Sequence, residues 1–284
     1  MSQADIFDYQ DLGLIHEEGH AFRLLRLLRG DGMELYCHLF KAYVNEKLGD
    51  DVLIPYEALS YVWGDPKATK RITLNGKNHW ITANLYEALL NLRQESTDRI
   101  IWIDALCINQ KYHEEKNHQI RHIAAIYQQA ECVIFWLGPS TLETNLLLGA
   151  LKQLHHESSK LACRNWSITD KRWTNLWTNI VPDPSMHPQY WKGLRDLLNR
   201  AYFTRIWILQ ECAHAKTGIV ACGRKNTAAH IFALAPHLLD ITPAAHCQAV
   251  LDILPGSPRQ GWWKEQRELF VLLQKFERNE AFDP

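Results

Sequence analysis

Residues 99–108, RIIWIDALCI, form the segment that decides the fold, because they are apolar almost without interruption. Such a run is typical of a strand that is covered on both faces, as in a parallel sheet. A helical pattern follows over 113–130, and 132–137, CVIFWL, is a second buried run. Strand, helix and strand in this order predict a right-handed crossover. The chain is therefore predicted to be an α/β protein with a mostly parallel sheet.

The residues before this segment predict further strands. Two alternating apolar runs within 21–45 are separated by GDG at 30–32, which predicts an N-terminal β-hairpin. We expect this hairpin to cover an edge of the sheet. Residues 56–63, YEALSYVW, are aromatic and β-branched and stop at the turn sequence GDP at 64–66. Strands are thus predicted at 58–63, 100–106 and 132–137.

A second hairpin is predicted before the first helix. Residues 71–81 hold two short alternating runs around Asn75-Gly76, a dipeptide that is favoured in tight hairpin turns. Thr82 or Asn84 can then cap a helix whose apolar residues recur with a period near 3.6 residues.

The second half of the chain is mostly helical in pattern. Residues 142–200 are rich in tryptophan and interrupted by prolines, and we interpret them as a large helical insertion. A helix pair over 194–215 breaks near 202–204, GIVAC at 218–222 predicts a short strand, and the residues from 228 onward predict further helices. The predicted division is a leader (1–20), a domain (21–225) and a C-terminal helical extension of that domain (226–284). We expect the natural protein to extend beyond residue 284.

Composition limits the classes of function. The 284 residues are 46% hydrophobic, enough to bury a core, and the formal charge of -1 provides no field that would gather nucleic acid. No apolar stretch is long enough to span a membrane, and the acidic start does not resemble a signal peptide. The seven cysteines are scattered, several within apolar runs, so we expect reduced core thiols. We predict a cytoplasmic protein with no nucleic-acid partner, no membrane span, no metal and no bound cofactor.

Three blocks of sequence resemble the signature of a known family. They read YEALSYVWGD at 56–65, WIDALCINQ at 102–110 and RIWILQE at 205–211. In this order they are similar to the blocks of the HET (heterokaryon incompatibility) domains of fungi, and the similarity covers roughly residues 20–225. Two departures, Lys116 for the commoner arginine and Ile123 for the commoner methionine, are conservative.

The resemblance implies a fold and a role. HET domains trigger programmed cell death when genetically different fungal cells fuse, and they are distantly similar to TIR domains, which have flavodoxin-like sheets. Several TIR domains hydrolyse NAD at the nicotinamide–ribose bond, with a catalytic glutamate that follows a tryptophan by four residues. Trp207 and Glu211 keep that spacing. The resemblance therefore implies a TIR-like fold, Glu211 as a candidate catalytic residue, and NAD or a related nucleotide as substrate.

The chemistry of the same residues fits that implication. On a helix, Trp207 and Glu211 lie one turn apart on one face. Loss of nicotinamide leaves positive charge on the ribose, and a single carboxylate can stabilise that charge. Ligands of open α/β sheets bind beyond the carboxyl ends of the strands, so residues after two predicted strands complete the candidate site. The candidate substrate-binding residues are Ser60, Tyr61, Trp63, Asp65, Asp104, Asn109, Gln110, Arg205 and Trp207.

Each of these residues also has a structural interpretation. Glu211 can pair with Arg205 or Arg200, and Arg205 can equally bind a phosphate group of a dinucleotide. Asp104 can cap the turn after its strand, and the polar residues at 109–110 are ordinary in turns. Core packing is the more frequent role of three tryptophans, Trp63, Trp102 and Trp136.

The histidines predict no metal site. His113 and His118 resemble the zinc motif H-E-x-x-H, but their spacing in this sequence makes them diverge around a helix. His118 and His122 could share a helix face, yet no third ligand has a fixed spacing from them. We therefore interpret them as solvent-facing residues.

Two functions from different classes follow. In one, the domain is an enzyme that breaks NAD, with a partly accessible Glu211 and all three blocks lining one pocket. In the other, it is a non-catalytic module that associates with itself or with other cell-death signalling proteins in an innate-immunity-like pathway. An accessible Glu211 carboxylate favours catalysis, and a buried salt bridge favours a structural role.

Overall fold

The computed structural model describes residues 6–9, 12–14, 21–43 and 54–256. The chain divides into two compact units, residues 1–134 and 135–284. The predicted leader lies largely outside the described residues, and the predicted helices beyond residue 256 lie outside them entirely.

The first unit combines a sheet with helices. Its strands are β1 (Ala21–Leu27), β2 (Tyr36–Tyr43), β3 (Glu57–Ser60), β4 (Thr69–Leu74), β5 (Lys77–Thr82), β6 (Arg99–Trp102) and β7 (Cys132–Trp136), within which the division between the units falls. Its helices are α1 (Ala83–Leu92), α2 (Asp104–Cys107), α3 (His113–Ile120) and α4 (Ile123–Gln129). The strand order in this unit is β5-β4-β2-β1-β6-β3-β7.

The sheet of the first unit is mixed. β3 and β6 are parallel neighbours, with Glu57 opposite Ile101, as expected for two buried runs of sequence. β2 and β4 are also parallel, whereas β1 is antiparallel to both β2 and β6. The predicted α/β class is confirmed.

The N-terminal hairpin is present, but its predicted position at a sheet edge is wrong. β1 lies between β2 and β6 in the interior of the strand order. The reason is its composition: every residue of β1 except Arg26 is buried. A strand that is apolar on both faces requires cover on both faces and neighbours on both sides, which an edge position does not provide.

The second hairpin and the helix after it are confirmed. Asn75 and Gly76 turn with φ of 50° and 77°, the left-handed values that a tight hairpin turn requires. The Asn75 side chain also bonds the backbone of Leu39 in β2, accepting from its N–H (2.7 Å) and donating to its carbonyl (3.0 Å). The Thr82 hydroxyl caps α1 by accepting from the Leu85 N–H at 3.3 Å.

Two predicted strands end early, and one predicted helix is divided. β3 stops at Ser60, and β6 stops at Trp102 because the chain turns into α2, where the Ile108 N–H bonds the Asp104 carbonyl at 3.1 Å. Between α3 and α4 the His122 N–H bonds the Gln119 carbonyl at 2.9 Å, three residues back, which tightens the turn and separates the two helices.

The second unit is mostly helical, as predicted. Its helices include α5 (Leu142–Lys160), α6 (Lys171–Ile180), α7 (His187–Leu198), α8 (Ile208–His214), α9 (Ala229–Leu238) and α10 (Ala245–Ile253). The predicted strand at 218–222 is β8 (Gly218–Cys222), and it pairs antiparallel with β9 (Lys225–Ala228), whose polar sequence predicts no strand. No helix in the described ranges has the length and apolarity needed to cross a membrane.

Helices α5 and α7 approach each other closely at Gly193. A Cβ atom at this position would lie 2.5 Å from the Glu143 carbonyl oxygen, so a larger residue would force the helices apart. Leu147 and Leu151 of α5 and Leu194 of α7 are fully buried. This contact forms the centre of the helical unit.

The core assignments made for tryptophan and cysteine are confirmed in part, since Trp63 and Cys132 are only half-buried. Trp102 and Trp136 are each 1% exposed. Buried free thiols include Cys37, Cys107, Cys212, Cys222 and Cys247. Burial raises the pKa of the Cys37 and Cys107 thiols to about 12, which keeps them protonated and unreactive at neutral pH.

Acidification should destabilise the second unit through His230. Burial, with a smaller contribution from His155 at 5.2 Å between ring centroids, lowers the pKa of His230 to about 4. The folded state therefore holds this histidine neutral at pH values where the unfolded chain protonates it, below about 6.5. We expect the Tm to fall as the pH drops from about 6.5 towards 4, and His230→Gln to reduce that fall.

The control for this titration is His156→Gln, which removes an exposed histidine of α5. It should leave the acid-induced fall in Tm unchanged, as measured by circular dichroism at a series of pH values. An equal fall in the parent and in His230→Gln would contradict the assignment to His230.

Candidate functional site

The first two signature blocks meet at the ends of two parallel strands in the first unit. The indole Nε1 of Trp63, after β3, donates to the Asp104 Oδ2 atom, after β6, at 2.7 Å. Both side chains are half-buried. Because β3 and β6 are parallel neighbours, their carboxyl ends lie together, which is the arrangement expected from the sequence.

Asp104 serves the local backbone as well as Trp63. Its Oδ1 atom accepts from the Ala105 N–H at 2.7 Å, and its carbonyl accepts from Gln110 Nε2 at 2.9 Å. The Asn109 Oδ1 atom accepts from the Lys111 N–H at 3.2 Å, as is usual in turns. These contacts match the structural interpretations of the three residues, and a role in substrate binding stays a prediction.

The loop after β3 lies close to Asn84 at the start of α1. Gly64 has φ of 80°, and a Cβ atom there would lie 2.9 Å from Asn84 Cβ, so only glycine fits. The Asn84 amide donates to the Val62 carbonyl, instead of capping α1. Ser60 and Tyr61 are each 1% exposed, whereas Asp65 is exposed and accepts from the Lys67 N–H at 2.9 Å.

The third block places its carboxylate in the protein interior. Glu211 is 6% exposed and its Oε1 atom lies 3.3 Å from Nη2 of Arg205, which is 4% exposed. Trp207 directly precedes α8, and its side chain is 38% exposed. Its carbonyl accepts from the Glu211 N–H at 3.2 Å, so the two residues lie one helical turn apart. The expected accessible carboxylate is not observed, and the Arg205 pairing that the sequence left open is present.

The residues around Glu211 are buried. The next residue, Cys212, is 1% exposed, and burial raises the pKa of its thiol well above the ordinary value, with a further contribution from the Glu211 charge. The guanidinium of Arg205 therefore compensates a carboxylate that has little access to water.

The family comparison matches the three blocks. A family model described as heterokaryon incompatibility protein (HET) matches residues 56–211, from the first residue of the first block to the last residue of the third. This match covers more than half of the chain. The chain belongs to the HET family.

A curated relative agrees with this assignment. The HET chain is 28% identical over 257 residues to heterokaryon incompatibility protein 6, OR allele, of Neurospora crassa. The alignment covers 79% of this chain and 36% of the relative, so the chain spans about a third of the length of that protein. No solved structure matches the chain significantly.

A buried ion pair that the sequence patterns did not predict holds the loop of the second HET block in place. Arg23 of β1 and Glu115 of α3 form two hydrogen bonds of 2.7 and 2.8 Å, and their exposures are 0% and 2%. Arg23 Nη1 also donates to the Cys107 carbonyl at 2.9 Å, and Glu115 accepts from the Asn109 N–H at 2.7 Å. The pair thus clamps the loop between α2 and α3 from two sides. The sequence feature that could have predicted this pair is Arg23, a charged residue within a largely apolar strand.

The three HET blocks are distributed over both units. The first two lie in the first unit and the third lies in the second. Their sharing of one pocket stays a prediction.

The described residues hold no group of three or more histidine, cysteine, aspartate or glutamate side chains that could bind a metal ion. His118 and His122 contact each other, with 4.8 Å between their ring centroids.

The contact between Trp63 and Asp104 should couple the first two HET blocks energetically. We expect a double-mutant cycle with Trp63→Phe and Asp104→Asn to give a coupling of about 2 kcal/mol, since the hydrogen bond has a charged acceptor. Urea unfolding measures it. Trp80→Phe, at an exposed tryptophan of β5, is the control and should show no coupling to Asp104→Asn. Independent effects of Trp63→Phe and Asp104→Asn would show that the hydrogen bond does not link the blocks.

Proposed function

We propose that this chain is the HET signalling domain of a fungal incompatibility protein, that it acts in programmed cell death through association with itself or other signalling proteins, and that its third block is structural. The family membership supports the incompatibility role. The buried Arg205–Glu211 ion pair supports the structural reading of the third block.

The ion pair opposes catalysis for a physical reason. A carboxylate that stabilises positive charge on a ribose must face that ribose when the bond to nicotinamide breaks. The Glu211 carboxylate instead faces a guanidinium, and its exposure of 6% leaves no surface for a sugar. Exchanging the guanidinium for a substrate would separate a buried ion pair, which is costly.

A second candidate is NAD cleavage by the same block. The spacing of Trp207 and Glu211 and the exposure of the Trp207 indole favour it. In this proposal Glu211 is catalytic, and Arg205 moves from Glu211 to a phosphate of NAD. Self-association would precede activity.

One assay separates the two candidates. Purified protein, both dilute and clustered on a scaffold, is incubated with NAD, and nicotinamide release is measured for the parent, Glu211→Gln and Glu143→Gln. Glu143 is the matched control because it forms an ion pair with Lys192 at the surface of the same unit. The signalling proposal expects no release that depends on Glu211. Release by the clustered parent and Glu143→Gln, with loss of about two orders of magnitude in Glu211→Gln, would establish catalysis instead.

A further inference from the structure

A cleft of about 480 Å³ lies within the second unit, between the end of α7, the segment that follows it and the start of α10. This volume is typical of a pocket for a small molecule. Its walls include Arg195 of α7, Thr204 and Asp240. Glu211 does not line it, so any role of this cleft is separate from the chemistry considered for the third block.

The side chains of the cleft carry an excess of positive charge. Among the described residues that line it are Arg195 and Arg200, against one acidic side chain, Asp240. His246, in the first turn of α10, adds an imidazole that can donate a hydrogen bond. Guanidinium groups present several N–H donors in one plane, which suits the oxygens of a phosphate group.

Both arginines are held in place by the protein. Arg200 donates to the carbonyls of Leu137 and Pro139, each at 2.7 Å, which orders its side chain. The guanidinium of Arg195 lies over the ring of Trp191, 4.6 Å from its centroid. Cations that are ordered before a ligand arrives lose less conformational freedom on binding.

The cleft also offers an aromatic surface. Trp191 lines it and is 42% exposed, unlike the buried Trp173 and Trp177 of α6. An exposed indole beside a cationic wall can contact a planar base while the arginines bind a phosphate. This combination favours a nucleotide over inorganic phosphate.

We propose that this cleft binds a small phosphorylated molecule of the size of a nucleoside mono- or diphosphate. Arg195 and Arg200 bind its phosphate, and Trp191 lies beside its base. The site goes beyond the proposed signalling role, because it gives the HET domain a means to respond to a soluble ligand. It does not depend on whether Glu211 is structural or catalytic.

Titration of the full chain tests this site, with ADP, inorganic phosphate and adenosine as probes in isothermal calorimetry. ADP should bind most tightly, phosphate more weakly, and adenosine weakest. Arg195→Gln should weaken ADP binding about tenfold or more, the scale of a lost charge-assisted hydrogen bond. Arg195 is exposed, so the variant should fold, and an unchanged Tm verifies this.

The matched control is Arg172→Gln. Arg172 of α6 also lies over a tryptophan, 4.2 Å from the ring centroid of Trp166, but it does not line the cleft. This variant should bind ADP like the parent. Trp191→Leu should weaken ADP binding more than phosphate binding, because it removes the contact to the base as well as the ring beneath Arg195. The proposal is overturned if neither ADP nor phosphate binds at millimolar concentration, if adenosine binds as tightly as ADP, or if Arg195→Gln and Arg172→Gln have equal effects.

Discussion

Replacing Glu115 by glutamine is expected to lower the free energy of unfolding by about 3–5 kcal/mol, the scale for breaking a buried ion pair from one side. The substitution leaves the Arg23 guanidinium charged in a site with 0% exposure. It also weakens the acceptor of the Asn109 N–H, so the loop of the second signature block should loosen with the pair. Urea unfolding followed by fluorescence measures the change.

The neighbouring residue supplies the control for this prediction. Glu114→Gln removes an exposed carboxylate from the same turn of α3 and should leave the urea midpoint unchanged. Replacing the pair together, by Arg23→Met and Glu115→Leu, should not restore stability, because the carbonyls of Leu12 and Cys107 and the Asn109 N–H would lose partners. A Glu115→Gln protein as stable as the parent would show that the pair contributes little.

Replacing Glu211 by glutamine should lower the free energy of unfolding by about 3 kcal/mol. The expected effect lies at the low end of the range for buried pairs, because its 3.3 Å contact with Arg205 is longer than the 2.7 Å contact of the Arg23–Glu115 pair. Arg205 keeps its charge, with 4% exposure, and loses the carboxylate that compensates it. Thermal and urea unfolding measure the loss.

The Glu143–Lys192 pair at the surface again provides the comparison for Glu211. Glu143→Gln should change the Tm much less than Glu211→Gln, since surface pairs contribute little to stability. A Glu211→Gln protein with the parent's Tm would mean that the buried carboxylate is retained for a reason other than stability, and would favour the catalytic candidate.

The sequence predicted those elements that local patterns determine. The buried runs of β6 and β7, the Asn75-Gly76 turn and the Thr82 cap each depend on residues close together in the chain, and all are observed. The end of β6 was not predictable in this way, because an apolar run does not distinguish a buried strand from the buried turn of helix that follows it.

The sequence patterns did not predict features that join residues far apart in the chain. The hairpin of β1 and β2 lies inside the sheet because β1 pairs with β6, a partner far along the chain. The Arg23–Glu115 pair joins residues 92 positions apart. For Glu211 the sequence allowed two interpretations, a catalytic carboxylate and a structural ion pair. Only its burial and its distance from Arg205 distinguish them.

The most direct test of whether the third block is structural uses the double variant Arg205→Met with Glu211→Leu, in which apolar residues replace the ion pair. The cell death that this variant causes is measured. Such replacements often preserve stability, so the fold can be kept while the carboxylate is removed. The chain is expressed in fungal cells, viability is counted, and the Tm of each purified variant is measured in parallel. The structural account predicts that the double variant, when it unfolds cooperatively, kills cells as the parent does, while Glu211→Gln is less stable and less active. A double variant with the parent's Tm that no longer kills cells would contradict it.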